Sequence, residues 1–250
     1  MERQACTTQI NNAFYDELHD LWYTAHDHPV ALLRAENSVR NPWIIESIQK
    51  HSSSPLEILD VGCGAGLLTN ELSLKNHRVT GIDLSEQSLK IANKKDVTQK
   101  VRYLPANAYN LPFSDKSFDI VCAMDILEHV EEPEKLIAEA SRVLRPGGLF
   151  FFHTFNRNFL SYLLIIKGVD WFVPNAPKNM HVYPLFIKPK ELKILCQRQD
   201  LTIEQMRGFR PCFNKALLRL IFTRKIPHDF SFCFSKNLIS GYSGIAQKVR

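Results

Sequence analysis

From Leu56 onward, short apolar runs alternate with longer amphipathic stretches. LEILDV, HRVTGIDL, VRYLPANA, FDIVCAM and GLFFFHTF are rich in β-branched and aromatic residues, and apolar positions recur at helical spacing between them. Strands alternating with helices predict an α/β fold, a Rossmann-like and mostly parallel doubly wound sheet. Ahead of it, Phe14, Leu18, Leu21 and Trp22 fall at helical spacing, as do Ala31, Leu32 and Ala35, with Ile44, Ile45 and Ile48 following Pro42; residues 1–50 read as a helical cap. The cofactor-type core spans 56–155, with Pro146-Gly147-Gly148 as a turn into its fifth strand. Residues 157–185 form an insertion after that strand. Residues 186–250 resume with a helix and then strands, ending on a polar tail.

At 250 residues and 45% hydrophobic content the chain can bury one full core, so a single domain is expected. Six cysteines (Cys6, Cys63, Cys122, Cys196, Cys212, Cys233) stand singly, with neither zinc-ligand spacing nor a disulfide framework. The first twenty residues contain acids and no apolar core, which argues against a secretory signal or transit peptide and for a cytoplasmic protein. A net charge of +5 suits an anionic surface, but no basic cluster interleaved with aromatics points to nucleic acid.

In such sheets ligands gather beyond the carboxyl ends of the strands. The first strand runs into Asp60-Val-Gly-Cys-Gly-Ala-Gly66. Its glycines stand at 62, 64 and 66, and Leu67 occupies the place of the third glycine of a dinucleotide fingerprint. The loop is either a tight turn or a cradle whose backbone N–H groups meet a small anionic group. Asp83 ends the second strand, placed to accept from two ribose hydroxyls, with Ser85 competing as helix cap. After the third strand, the side-chain oxygen of Asn107 can accept from an adenine amino group.

These four features, Asp60 to Gly66, Asp83, Asn107 and the Pro146-Gly-Gly turn, resemble class I S-adenosylmethionine-dependent methyltransferases over about residues 40–155. The resemblance places Asp60 near the methionine ammonium group and the glycines near its carboxylate. Beyond the fifth strand, His153-Thr-Phe-Asn-Arg157, Ser161-Tyr-Leu, His181 and Phe186-Ile-Lys-Pro-Lys-Glu-Leu, together with Asn37-Ser-Val-Arg40, look like the O-methyltransferases of ubiquinone biosynthesis. That likeness implies cofactor contacts at Arg40, Gly62, Gly64, Gly66, Asp83 and Met124. It also implies a polyprenylated catechol-type phenol as substrate and a biosynthetic complex as a further partner. The chain departs from the family pattern at Asn107, where relatives carry Asp, at Asp125, where they carry Glu, and at Ser38-Val39, where they carry Pro-Leu.

Asp125, Glu128 and His129 lie at i, i+3 and i+4, on one face if a helical turn starts there. They then form a Mg²⁺ site, the role the resemblance suggests, or leave Glu128 and His129 as the catalytic pair, with His129 as general base. His153 and His181 read as hydrogen-bonded structural histidines. The insertion, FLSYLLIIKGVDWFVP, is too short to span a bilayer but apolar enough to lie in its interface, so residues 157–178 are expected to meet the membrane from its inner face, with Arg157 and Lys167 toward headgroups. The alternative substrate is a soluble phenol or amine.

Overall fold

The structure, a computed structural model, describes residues 10–249; the first nine residues of the expected cap, Cys6 included, and Arg250 lie outside it. The sheet has eight strands: β1 (Glu57–Val61), β2 (Arg78–Asp83), β3 (Arg102–Pro105), β4 (Phe118–Met124), β5 (Leu144–Phe155), β6 (Leu201–Pro211), β7 (Phe232–Ser235) and β8 (Gly241–Lys248), in the order β3-β2-β1-β4-β5-β8-β6-β7. The first five are parallel, while β8 lies antiparallel to both β5 and β6, and β7 pairs antiparallel with β6.

Among the described residues ten α-helical segments surround the sheet: α1 (Phe14–Glu17), α2 (Leu21–Thr24), α3 (Val30–His51), α4 (Thr69–Ser73), α5 (Glu86–Lys95), α6 (Pro133–Val143), α7 (Phe159–Ser161), α8 (Gly168–Phe172), α9 (Pro189–Arg198) and α10 (Lys215–Thr223). Successive strand side chains point to opposite faces, and this period of two builds two cores. Ile58, Val79, Ile120 and Phe151 pack against Trp43, Ile44 and Ile48 of α3 and Leu72 of α4. Leu59, Val121, Phe150 and Phe152 pack against Leu136, Ile137 and Ala140 of α6 and Leu192 and Cys196 of α9. Apolar covering on both faces is why the strands read as near-continuous hydrophobic runs.

Two expectations change in detail. The Pro-Gly-Gly element is not a turn ahead of β5 but a bulge within it, since Leu144 pairs with Phe118 while Leu149 pairs with Ile120. The last expected strand forms, and it lies inside the sheet, between β5 and β6. Residues 241–246 are buried there, and Gly244 makes room for a neighbour, since a Cβ on it would fall 2.3 Å from the Phe152 ring.

Candidate active site

At the carboxyl edge of the sheet the chain turns after β1, and the N–H groups of Gly62 and Cys63 donate to the Ile82 carbonyl at 2.8 and 2.9 Å, tying the loop to β2. Gly64 has φ +51°, and a Cβ there would come within 2.8 Å of the Trp22 indole, so neither the backbone nor the space admits a side chain. Its N–H donates to Asp83 Oδ2 at 2.8 Å, and Ser85 N–H donates to Oδ1 at 2.9 Å. Ser85 itself caps α5, which leaves Asp83 free to face the cavity. Burial raises the pKa of Asp83 and pushes that of Asp60 up to about 7, although Thr69 Oγ1 donates to Asp60 at 2.6 Å.

Asp60, Gly62, Gly64, Asp83, Asn107 and Met124 line one cavity of about 590 Å³, together with Asp125 and His129. The glycine cradle, a carboxylate at each side of it and this volume fit S-adenosylmethionine. Three expected residues sit differently. Gly66 is off the cavity wall, its Cβ position filled by the Tyr103 hydroxyl at 2.6 Å. Asn107 lines the wall, but its side-chain oxygen already accepts from Tyr109 N–H at 2.9 Å in an Asx turn, leaving its second lone pair and its amide N–H groups for a ligand. Arg40 is fully buried and does not line the cavity. Instead it clamps Asp125, with Nη1 on Oδ1 at 2.6 Å and Nη2 on Oδ2, while Glu36 lies 3.4 Å from Nη1.

That clamp organises the charges behind the cavity. Burial raises the pKa of Asp125, but Arg40 outweighs it and holds the carboxyl below its ordinary range. Glu36 and Glu128 go the other way: burial pushes each up to about 8, and both oxygens of Glu128 are buried without a hydrogen-bond partner. Burial holds His129 down to about 4 and His153 to about 3, so both are neutral imidazoles near pH 7. His153 is a structural histidine, its Nδ1 2.8 Å from Ser243 Oγ. His181 stands beside His129, with ring centroids 5.4 Å apart.

The single-turn arrangement expected of Asp125, Glu128 and His129 does not form. Asp125 has φ +58°, and a separate 3-10 turn, Leu127–His129, follows it, so the three side chains do not share a helical face. Their ligand atoms do not all lie within 4.8 Å of one another; among the described residues that closeness belongs to Glu36, Asp125 and His153. Asp125 gives both oxygens to a guanidinium. As a three-residue magnesium site these side chains therefore do not fit, although the partnerless carboxyl of Glu128 is the right chemical type.

The N-terminal segment closes the site. Tyr15 stacks on Trp22, with centroids 5.6 Å apart, and its hydroxyl lies 3.5 Å from His129 Nε2. Asn12 bonds His129 twice, its Nδ2 donating to the His129 carbonyl at 3.2 Å and its Oδ1 lying 3.0 Å from Nδ1. Sequence reasoning missed both residues, since nothing local links positions separated by 114 and 117 places.

The insertion is a helical run whose middle, Tyr162–Lys167, is π-helical. Phe159, Leu160, Leu164 and Trp171 are exposed on it. Arg157 does not reach outward, because Glu191 accepts from it at 2.7 Å through both oxygens, and Lys167 pairs with Asp170 at 3.2 Å. Val169 and Phe172 pack with Leu217 and Leu220 of α10, whose outer face shows Leu218 and Phe222, the latter 82% exposed. Among the described residues no helix is long and apolar enough to cross a membrane.

A parallel β3-β2-β1-β4-β5 sheet followed by antiparallel strands, with a glycine cradle after β1 and a carboxylate after β2, defines a class I S-adenosylmethionine-dependent methyltransferase. Residues 59–152 match the family model described as a methyltransferase domain. Among solved structures, magnesium protoporphyrin IX methyltransferase from Synechocystis with bound SAH superposes with a TM-score of 0.64 at 16% identity over 95% of both chains. A possible histamine N-methyltransferase from Thermotoga maritima gives 0.62 at 19% identity, over 94% of this chain and 99% of that one. Among curated relatives, the ubiquinone biosynthesis O-methyltransferase of Hydrogenovibrio crunogenus is 33% identical over 241 residues, 95% of this chain and 96% of its own. That of Bordetella bronchiseptica is 37% identical over 179 residues, 70% and 73% of the two chains. The chain belongs to the ubiquinone biosynthesis O-methyltransferase family.

Proposed function

We propose that the protein methylates a hydroxyl of a polyprenylated catechol or quinol in ubiquinone biosynthesis, using S-adenosylmethionine. The observation that carries the reading is that a buried, neutral imidazole, His129, lines the same cavity as the glycine cradle and Asp83. In this reading Asp60 meets the cofactor's ammonium group, the loop N–H groups its carboxylate, Asp83 its ribose hydroxyls and Asn107 its adenine. Met124, on the cavity wall at the end of β4, packs against the bound cofactor. Arg40 acts at one remove, by fixing Asp125 at the cavity floor. When bound, the cofactor supplies a methyl on a sulfonium sulfur, and as the oxygen–carbon bond forms the carbon–sulfur bond breaks, its electron pair staying on sulfur. His129 Nε2 takes the proton of the attacking hydroxyl, and the apolar wall keeps water out while the oxygen is aligned.

The polyprenyl tail gives the exposed apolar surface a purpose. The insertion and α10 share one hydrophobic cluster, and the segment 210–225 carries Arg210, Lys215, Arg219, Arg224 and Lys225 with no acidic residue. Apolar side chains flanked by cations suit an anionic bilayer surface, so the protein works as a peripheral enzyme at the inner face of the membrane. Mass spectrometry of a reaction with purified protein, S-adenosylmethionine and a short-chain prenylated catechol tests the activity. A product heavier by one methyl, with S-adenosylhomocysteine formed alongside, is expected; cofactor binding without any methylated catechol would reject this substrate class.

A further inference from the structure

We infer that Asn12 is a positioning residue that fixes the tautomer of His129, so that its Nε2 carries the lone pair that receives the substrate proton. The inference rests on the reading of His129 as the base. A backbone carbonyl has no hydrogen, so the group of Asn12 that bonds the His129 carbonyl at 3.2 Å must be the amide nitrogen. The other end of the same planar amide is then its oxygen, and it lies 3.0 Å from Nδ1. That oxygen can only accept, hence Nδ1 carries the hydrogen. Turning the amide over would let its nitrogen donate to an unprotonated Nδ1 but would set its oxygen against the His129 carbonyl, two acceptors face to face, so the observed orientation keeps both bonds. In a neutral imidazole protonated at Nδ1, Nε2 is the free acceptor, and Nε2 is the nitrogen facing a phenol hydroxyl, that of Tyr15, at 3.5 Å.

The surroundings hold this arrangement in place. Asn11 N–H donates to the Asn179 carbonyl at 3.0 Å, Ser88 Oγ donates to the Tyr15 carbonyl at 3.3 Å, and Ser85 Oγ donates to Asp16 at 2.6 Å. The segment carrying Asn12 is thus tied to Asn179 on one side and, through Ser85 and Ser88, to the cavity wall on the other. Among the described residues neither Asp125 nor His181 hydrogen-bonds the His129 ring, so neither replaces Asn12 in choosing the tautomer.

Long-range ¹H–¹⁵N spectra of the intact protein read the tautomer directly, and Nδ1–H on His129 is expected; Nε2–H overturns the inference. Kinetics on a series of prenylated catechols of differing hydroxyl pKa give the second test. Asn12→Leu should lower kcat about tenfold or more, within the range of general-base effects. The loss should be greatest for the least acidic acceptor, with KM and S-adenosylhomocysteine affinity within about twofold of the parent. Asn12→Asp, which keeps the acceptor oxygen for Nδ1 but loses the donor to the His129 carbonyl, should restore part of kcat. Unchanged kcat in Asn12→Leu beside a large loss in His129→Ala overturns the positioning role alone. Unchanged kcat in His129→Ala overturns the base reading and the inference with it.

Discussion

Glu128 is a buried carboxyl with no partner for either oxygen, and the cost of keeping it should be visible as a pH-dependent instability. Burial, reinforced by Asp125, raises its pKa from 4.5 to about 8. Between those values the native state holds a proton that the unfolded chain has released, so stability falls as pH rises across that window. At 1.36 kcal/mol per pH unit, the two units from pH 5.5 to 7.5 correspond to a ceiling of about 2.7 kcal/mol. Sharing the field with Glu36 and Asp125 leaves about 1–2 kcal/mol for Glu128 alone. Glu128→Gln removes the titration while keeping shape, and the pH-independent cost of burying an amide cancels in a difference between two pH values. For a chain of this length the difference in Tm between variant and parent should shift in the variant's favour by about 3–6 °C from pH 5.5 to 7.5. Scanning fluorimetry at both pH values reads it. A difference that stays constant within about 1 °C, or moves the other way, would refute the assignment of Glu128 as a protonated carboxyl. His129 and His153 work oppositely: burial holds both below 6.5, so they withdraw stability as pH falls below that value.

Gly64→Val should weaken S-adenosylhomocysteine binding at least 30-fold by calorimetry, because φ +51° costs a β-carbon about 1–2 kcal/mol and the indole of Trp22 blocks the space; affinity within threefold of the parent would contradict the cradle. Arg40→Met leaves the half-buried Asp125 unpaired at the cavity edge, at about 1–3 kcal/mol, and should lower Tm by about 3–8 °C; an unchanged Tm would show that the clamp carries no stability. Leu164→Glu with Trp171→Glu should abolish co-sedimentation with anionic vesicles while leaving S-adenosylhomocysteine binding intact. Retained sedimentation would move the membrane face elsewhere.

What could be read from the sequence divides along physical lines. Periodicity and turn chemistry are local, so the five parallel strands, the glycine loop, Asp83 and the apolar insertion were all visible in the linear pattern. Features set by contacts between distant segments were not. Gly241–Lys248 reads as a late strand, but nothing around it says that it slots between β5 and β6, where Phe152 needs the space that Gly244 leaves. Arg40 reads as a cofactor contact until Asp125 is placed opposite it. The i, i+3, i+4 spacing after β4 suggested a shared face, but a left-handed Asp125 breaks the helix before it starts. The helix α10 also went unread, because its exposed apolar face makes sense only beside the insertion.

Cofactor binding should itself be linked to proton release, and Asp60 is where the linkage falls. Its carboxyl is buried, with a pKa pushed up to about 7, so near neutrality it is only part ionised. An ammonium group brought against it favours the charged form and displaces the proton, which lowers the pKa. Below about pH 7 that proton must be expelled on binding, so affinity for S-adenosylhomocysteine should fall as pH drops, by up to tenfold per unit in the limit. Arg40 cannot supply the compensation, since both Asp125 oxygens engage it behind the cavity. Calorimetry at pH 6.5 in two buffers of different ionisation enthalpy measures the protons released, and a substantial fraction of one proton is expected. Asp60→Asn should bring that number near zero and flatten the pH dependence. Equal binding heats in both buffers for the parent protein would mean that Asp60 is already ionised or does not meet the ammonium group, and the placement of the cofactor's methionine end would have to be redrawn.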